Sequence, residues 1–569
     1  MKKSLLILPL LALAFASCSS DEPANNEGTD QGEAKYLSVN IVASPTNGSK
    51  ADPNTQEDYE NGTPKENDVQ SVRFYFFDDD KAAVNVKKNG ENWVNYHDWV
   101  KPATGDGDAP NVEKVITADI IINTSEDDKL PAYVVAIVNP TSDLPAGSIS
   151  LEQLNLKVAA YNNTESFVMS NSVYKDGVDK KMEEVSVAGH LYLNAADAKK
   201  NPVTIYVERV LAKVSMDLKE GLADKTTGLI KTGVHSDALG TSDNEVFVKF
   251  LGWNVTATAD KSRLMKEINV AWPTNLFGDA EPWNWSDFCR SFWAINPAEV
   301  GYAYGTFDVN NTDNPNKAWG ITAFGGDNNY TYLQENAAAS SANDAVVAKP
   351  SQVIVAAQLV DKAGKPVEIA EWGFMQCKVA DLKKAILASL TNKNFFKKTS
   401  VNSGETTEVK YTQIDVTDLD FKTASVVDNG GKLLEEGGRY YVYAQLSDAA
   451  AGVEWVDADN ADGKNVEVST INDALKALGH AKIWKNGYTY YYLNIRHLGD
   501  TENKPGYYGV VRNHVYKVLV NSVSGLGTPV YDPKEVIIPE KPGNDNTYIA
   551  AEIKVLSWRI VNNGVDLDW

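Results

Sequence analysis

Short strand-like apolar runs, some with an apolar residue at every second position, recur along this 569-residue chain and are broken by Gly, Pro, Asn and Asp. Successive side chains on an extended strand point to opposite faces, so this alternation puts one face in a core and leaves the other to water. The run 36–43 reads this way, and the runs 72–77, 115–122, 132–138, 203–207, 246–255, 352–360, 439–447, 488–495 and 510–523 are further strand candidates. In the first of them Leu37, Val39 and Ile41 share one face, and Ser38 and Asn40 the other. Helical periodicity is confined to 150–161, 379–390 and 470–478. The expected fold is all-β with a few short helices, most simply two β-sandwiches in series, since the chain is long enough for more than one full core. A polar stretch at 258–263 puts the boundary near 270, which divides the chain into 51–270 and 271–569. No short-period repeat suggests a solenoid or a propeller.

The N-terminus reads as an export signal. Lys2 and Lys3 precede an apolar run over 5–15, which is shorter than the roughly 18 residues a membrane span needs. The run ends in Phe15-Ala16-Ser17-Cys18. Small residues before a cysteine resemble a lipobox, so 1–17 is expected to be cut away and Cys18 acylated. Ser19-Ser20-Asp21-Glu22 resembles the acidic export tag of surface lipoproteins in Bacteroidetes. A plain secretory signal with an incidental cysteine is the alternative. The polar stretch that follows, to about 34, has the composition of a tether.

Composition narrows the function classes. A net charge of −23 argues against nucleic acid and against anionic membrane surfaces as partners. Beyond Cys18, Cys289 and Cys377 are the only cysteines, too few for a disulfide framework and without C-x-x-C spacing. They read as buried thiols, although one bridge between them stays open. The six histidines form no short-spaced pair, so no metal site is expected. The stretch 457–463 is similar to a calcium loop, but Ala461 replaces a ligand and Gly463 comes one residue late, so a solvated hairpin loop is the better reading. No phosphate loop and no nucleophile elbow are present, so neither a catalytic residue nor a cofactor is expected. His514, within Arg512-Asn513-His514-Val515-Tyr516, reads as a strand start, with Arg512 pinning a loop.

Several segments together resemble the fimbrillin superfamily of Bacteroidetes, most closely its minor (short) fimbria shaft subunit. They include Ala132-Tyr133-Val134-Val135-Ala136-Ile137-Val138-Asn139-Pro140, Phe167-Val168-Met169-Ser170-Asn171 and the stretch from Ile205 through Arg209 to Val214. Tyr490-Tyr491-Tyr492-Leu493-Asn494-Ile495-Arg496, the run from Gly509 to Tyr516 and the closing stretch 553–569 complete the set. The resemblance implies transthyretin-like sandwiches and an assembly mechanism. A lipidated precursor reaches the outer surface, and a protease of trypsin-like preference cuts after the first strand. The C-terminal strand of another subunit then fills the vacated groove.

The cut is expected between Lys50 and Ala51, in the polar turn Asn47-Gly48-Ser49-Lys50, where the family's best-known members carry Arg. That makes 18–50 a propeptide with Leu37, Val39 and Ile41 on the displaced strand. The incoming strand is expected from the tail 546–569. Its candidate residues are Ile553, Val555, Trp558, Val565, Leu567 and Trp569, reached through the flexible Gly543-Asn544-Asp545-Asn546. The alternative is that this tail is merely the last strand of its own domain.

The implied role is a structural subunit of surface fimbriae, attached to the outer membrane before processing and supporting adhesion and biofilm formation. Its partners would be further copies of itself, accessory and anchor subunits, and receptors on host or bacterial surfaces. Two rival readings remain. One is a glycan-binding surface lipoprotein using Trp93, Trp99, Trp283 and Trp285. The other is a tip adhesin of the same superfamily.

Overall fold

The computed structural model describes residues 35–42, 62–90, 92–101, 116–124, 129–162, 166–176, 180–182, 184–268, 293–305, 307, 329–337, 349–390, 394–403, 406–423, 441–458, 463–497, 508–534, 537 and 548–557. Within these residues the chain is all-β, with several sheets and a few short helices.

The first sheet is built from β1 (Lys35–Val42), β2 (Ser71–Phe77), β3 (Tyr96–Val100), β4 (Ile116–Ile122), β5 (Tyr133–Val138), β6 (Met169–Asn171) and β7 (Val203–Arg209). Their order is β3-β2-β5-β6-β7-β1-β4, with the short strand Val185–Ser186 pairing β5. The alternation read from the sequence is literal here: β4 buries Ile116, Ala118, Ile120 and Ile122 and exposes the residues between them. These side chains join those of β1, β2, β5 and β7 in one core.

A second core lies between two sheets. One is formed by β8 (Leu211–Leu218), β11 (Tyr330–Gln334), β14 (His514–Ser524) and β16 (Tyr548–Ser557), in the order β11-β8-β14-β16. The other contains β9 (Ile230–His235), β10 (Glu245–Thr256), β12 (Gln352–Val360), β13 (Tyr488–Asn494) and β15 (Thr528–Pro529), in the order β9-β10-β12-β13-β15. Val214, Met216, Val518 and Val520 from the first of these sheets meet Trp253, Val353, Val355 and Tyr491 from the second. Most of the change from the first core to the second falls between β7 and β8, although Leu264, Met265 and Val515 return to the first. Strands β8, β9 and β10 therefore pack in the second core, although they precede residue 270.

A third core occupies the segment between β12 and β13, two strands that are themselves paired neighbours. Short strands at Ile369–Trp372, Leu419–Thr423, Tyr441–Leu446 and Ala481–Trp484 share one sheet, and helices Val379–Ser389 and Val468–Lys476 pack on it. Val442, Ala444 and Leu446 face Leu382, Ile386, Ile471 and Leu475 there.

The helices are shorter than the periodicity suggests at one place. The expected helix over 150–161 is only Leu151–Asn155. Ser150 caps it and Gln153 completes a capping box, but Val158–Ala159 leaves the helix to pair with Ser262–Arg263. A tertiary strand pairing overrides a weak local preference.

Candidate strand-exchange site

Strand β1 lies inside its sheet, with a neighbour on each side. It pairs parallel to β7, with Val39 beside Val203 and Ile41 beside Ile205. It pairs antiparallel to β4 over seven positions, from Lys35 beside Ile122 to Ile41 beside Ile116. Leu37, Val39 and Ile41 are at most 1% exposed, so all three displaced-strand candidates face the core. Among the described residues the only strand paired with β4 is β1. Taking β1 away would unpair β7 along one edge and cut β4 off from the rest of its ladder. Both would then present unsatisfied backbone groups beside an apolar trough.

The outer face of β1 is covered as well. The helix Ala195–Lys200 packs on β1 and β4, with Ala198 as its buried residue. Its Lys199 Nζ lies 3.0 Å from Asp119 Oδ2, and Asp119 is the cross-strand neighbour of Ser38. Ser38 is fully buried, and its hydroxyl has no hydrogen-bond partner among the described residues. At one end Tyr36 and Tyr192 exchange backbone hydrogen bonds of 2.7 and 3.0 Å.

The C-terminal strand sits elsewhere. β16 is the edge strand of its own four-stranded sheet, antiparallel to β14 from Tyr548 beside Ser524 to Ser557 beside His514. Ile553 pairs with Val518 and Val555 with Tyr516. These two donor candidates are thus placed in the chain's own sheet, apart from β1. Trp558, Val565, Leu567 and Trp569 lie outside the described residues, as do Cys18, Lys50, Ala51, Cys289, Trp283 and Trp285. Cys377 is a free, partly exposed thiol. Trp93 and Trp99 are half-buried, and Trp99 packs against the first core.

The segment that begins at Gly62 is bolted to both of the first two cores. Arg209, buried at the end of β7, donates from Nε to the Glu66 carbonyl at 2.8 Å, from Nη2 to Asn67 Oδ1 and from Nη1 to Asn513 Oδ1 at 3.1 Å. The Glu66 carboxylate accepts from the Thr63 N–H at 2.6 Å and from the Tyr332 hydroxyl, and Lys213 Nζ lies 3.2 Å away. Burial and the nearby carboxylate push the Tyr332 phenol well above its usual pKa, so it stays a donor. Close by, Arg512 donates from Nε to Glu335 at 2.8 Å, from Nη1 to the Leu264 carbonyl at 2.8 Å and from Nη2 to the Arg263 carbonyl at 2.6 Å. Arg512 does pin a loop, and His514 does open a strand, as their sequence context suggested. His514 Nδ1 lies 2.7 Å from the Arg512 carbonyl, and burial lowers its pKa to about 4.

Nothing local in the sequence marks Glu66, Glu335 and Lys213 as buried. The only available signal was the pairing of acidic and basic residues far apart in the chain, which one sequence does not reveal. Among the described residues no group of three or more His, Cys, Asp or Glu side chains could hold a metal ion. No described helix is long and apolar enough to cross a membrane.

Residues 482–563 match the family described as "Major fimbrial subunit protein type IV, Fimbrillin, C-terminal". This stretch carries the fimbrillin C-terminal pattern. It includes β13, β14 and β16, and it covers a donor candidate from Trp558 as well as Ile553 and Val555. Over 482–563 this match bears out the resemblance to fimbrillins read from the sequence. In three dimensions the chain is similar to a protein of Parabacteroides distasonis ATCC 8503 described as a candidate cell adhesion protein, at 10% identity and a TM-score of 0.37, covering 94% of this chain and 99% of that one. A fimbrilin of Porphyromonas gingivalis W83 aligns at 11% identity and a TM-score of 0.35, covering 93% and 98%. A tip fimbrial protein of Porphyromonas gingivalis with a C-terminal truncation aligns at 12% identity and a TM-score of 0.29, covering 92% and 100%. Among curated proteins no sequence match was found.

Proposed function

We propose that this chain is a subunit of a surface fimbria that polymerises by strand exchange. In this reading 1–17 is a lipoprotein signal, 18–50 a propeptide anchored through Cys18, and 51–569 the mature subunit, its two main cores meeting between β7 and β8 rather than near 270. Cutting between Lys50 and Ala51 frees β1, and the tail 546–569 of another copy takes its place. The observation that carries the reading is the position of β1. It is an interior strand with three buried apolar side chains, yet only the stretch 43–61 separates it from Gly62. A strand added from outside satisfies both exposed ladders and refills the trough.

Trimming would not unravel what remains. Gly62 to Asp68 is held by Arg209, Lys213 and Tyr332, and Val69 and Val72 are buried beyond it. Cleavage would also leave solubility unaffected, because 1–50 holds four Lys against five acidic residues and the net charge moves only from −23 to −22. The shaft position within a minor fimbria, attachment to the outer membrane, contact with accessory and anchor subunits and with surface receptors, and roles in adhesion and biofilm belong to the same proposal.

N-terminal sequencing of assembled fibres tests the cut: a mature start at Ala51 is expected, and a start at Cys18 or Ser19 overturns it. Deleting 558–569, beyond β16, should leave a folded monomer that gives no SDS-resistant ladder on an unheated gel. A ladder that persists without the tail excludes the tail as donor.

A further inference from the structure

We propose that the part of the tail received in the groove is 556–561, and that its Ser557 decides the fit. The inference rests on the strand-exchange reading above and names the register within it. The displaced strand reads Leu37-Ser38-Val39-Asn40-Ile41-Val42, and the tail contains Leu556-Ser557-Trp558-Arg559-Ile560-Val561. Four of the six residues are identical, at the same spacing.

The structure says why these positions matter. A strand in this place is buried on both faces at its centre. Leu37, Val39 and Ile41 enter the core on one side, while Ser38 is fully buried on the other, where the helix Ala195–Lys200 crosses β1 and β4. The Lys199–Asp119 ion pair lies beside Ser38. The hydroxyl of Ser38 makes no hydrogen bond among the described residues, so the site selects for small volume rather than for a polar contact. An acceptable strand therefore needs apolar residues at three alternate positions, a small residue between the first two, and tolerance of a polar residue between the last two. Asn40, in that last place, is only half-buried.

The 556–561 segment meets each demand. Leu556, Trp558 and Ile560 replace the inward side chains, Ser557 takes the covered place, and Arg559 takes the half-open one. The competing match, Val565-Asp566-Leu567-Asp568-Trp569, would bury the carboxylate of Asp566 in the place of Ser38, beside the Lys199–Asp119 pair. The one departure in the favoured register is Trp558 where Val39 stands, so that layer must repack around a larger side chain.

Donation from this point also leaves the donor tied to its own body. Leu556 and Ser557 form the last two pairs of β16 with Val515 and His514. Releasing those two leaves Tyr548 to Val555 paired at home, and the chain can run directly from one subunit's sheet into the next subunit's groove.

Register-specific disulfide trapping tests the inference in fibres assembled from the full chain, with Cys289 and Cys377 replaced by Ser. In the proposed register Ser557 of one copy lies opposite Asp119 of the next. Ser557→Cys with Asp119→Cys should give covalent multimers on non-reducing gels, while Asp566→Cys with Asp119→Cys should not. Cross-linking by the second pair alone, or by neither pair in fibres that form normally, overturns the register while leaving strand exchange standing. If the unsubstituted chain forms no fibres, the strand-exchange reading fails and this inference with it. Size dependence is a second check that needs no cysteine: Ser557→Ala should assemble like the parent, and Ser557→Leu should lower fibre yield at least tenfold. Equal yields from the two would overturn the claim that Ser557 decides the fit.

Discussion

Cutting the chain after Lys50 should turn β1 from a permanent strand into one that leaves. Leu37, Val39 and Ile41 are almost wholly buried. At about 1.5–3 kcal/mol each, their burial contributes about 5–9 kcal/mol. Ladder hydrogen bonds to β4 and β7 add a modest net amount, about 0.5–1.5 kcal/mol apiece. While β1 is tethered, it folds back as part of the same molecule, at an effective concentration on the order of millimolar or more. Once cut, it must bind as a separate molecule, and the loss of translational and rotational freedom costs about 4–15 kcal/mol. Apolar burial and the two ladders together outweigh this cost by only a few kcal/mol, so the freed propeptide should have a dissociation constant in the micromolar to millimolar range, about −8 to −4 kcal/mol. The measurement is retention of the 18–50 fragment by the trimmed protein, followed by size exclusion and mass spectrometry across a dilution series. Loss of the fragment at low micromolar protein is the expected result. Retention after dilution to nanomolar concentration would mean that the cut does not empty the groove, and the proposed trigger for assembly would be refuted.

Three further outcomes are expected. Glu335→Gln should lower unfolding stability by about 3–5 kcal/mol, because it leaves the fully buried Arg512 guanidinium without its carboxylate; a fall in the denaturant midpoint at constant slope measures it. Stability should fall as pH drops from about 6.5 toward 4. The folded pKa of His514, about 4, lies below the unfolded value, so within that window the unfolded chain binds the extra proton, and the loss reaches about 3 kcal/mol. His514→Gln should flatten that part of the pH profile, with half-buried His97, also lowered to about 4, leaving a residual slope of the same sign. Gly487→Ala should cost about 1–3 kcal/mol in a thermal or denaturant melt. The residue has φ +77°, and an added Cβ would lie 2.4 Å from the Leu359 carbonyl oxygen.

The strand plan and the inward face of β1 were legible in the sequence. Period-two alternation is a local property, and a strand with one buried face must show it, as the inward set Leu37, Val39 and Ile41 does. Punctuation by Gly, Pro, Asn and Asp is equally local, and so is the lipobox-like leader. Sequence context likewise marked His514 as a strand start and Arg512 as a loop pin.

Tertiary structure alone decided the rest, because it depends on which distant segments meet. The burial of Ser38 comes from a helix some 160 residues later in the chain crossing β1, and no periodicity in 36–43 announces it. The change of core between β7 and β8 is invisible along 203–218, since both strands alternate in the same way and differ only in the sheet they join. The core between β12 and β13 arises because those two strands pair across a long separation and leave the intervening chain to pack on itself. The seam at Glu66, Arg209 and Arg512 joins residues up to several hundred positions apart. A single sequence displays its side chains in order but not its pairings. Local pattern therefore determined the strands, and long-range register determined which strands pair and which faces are covered.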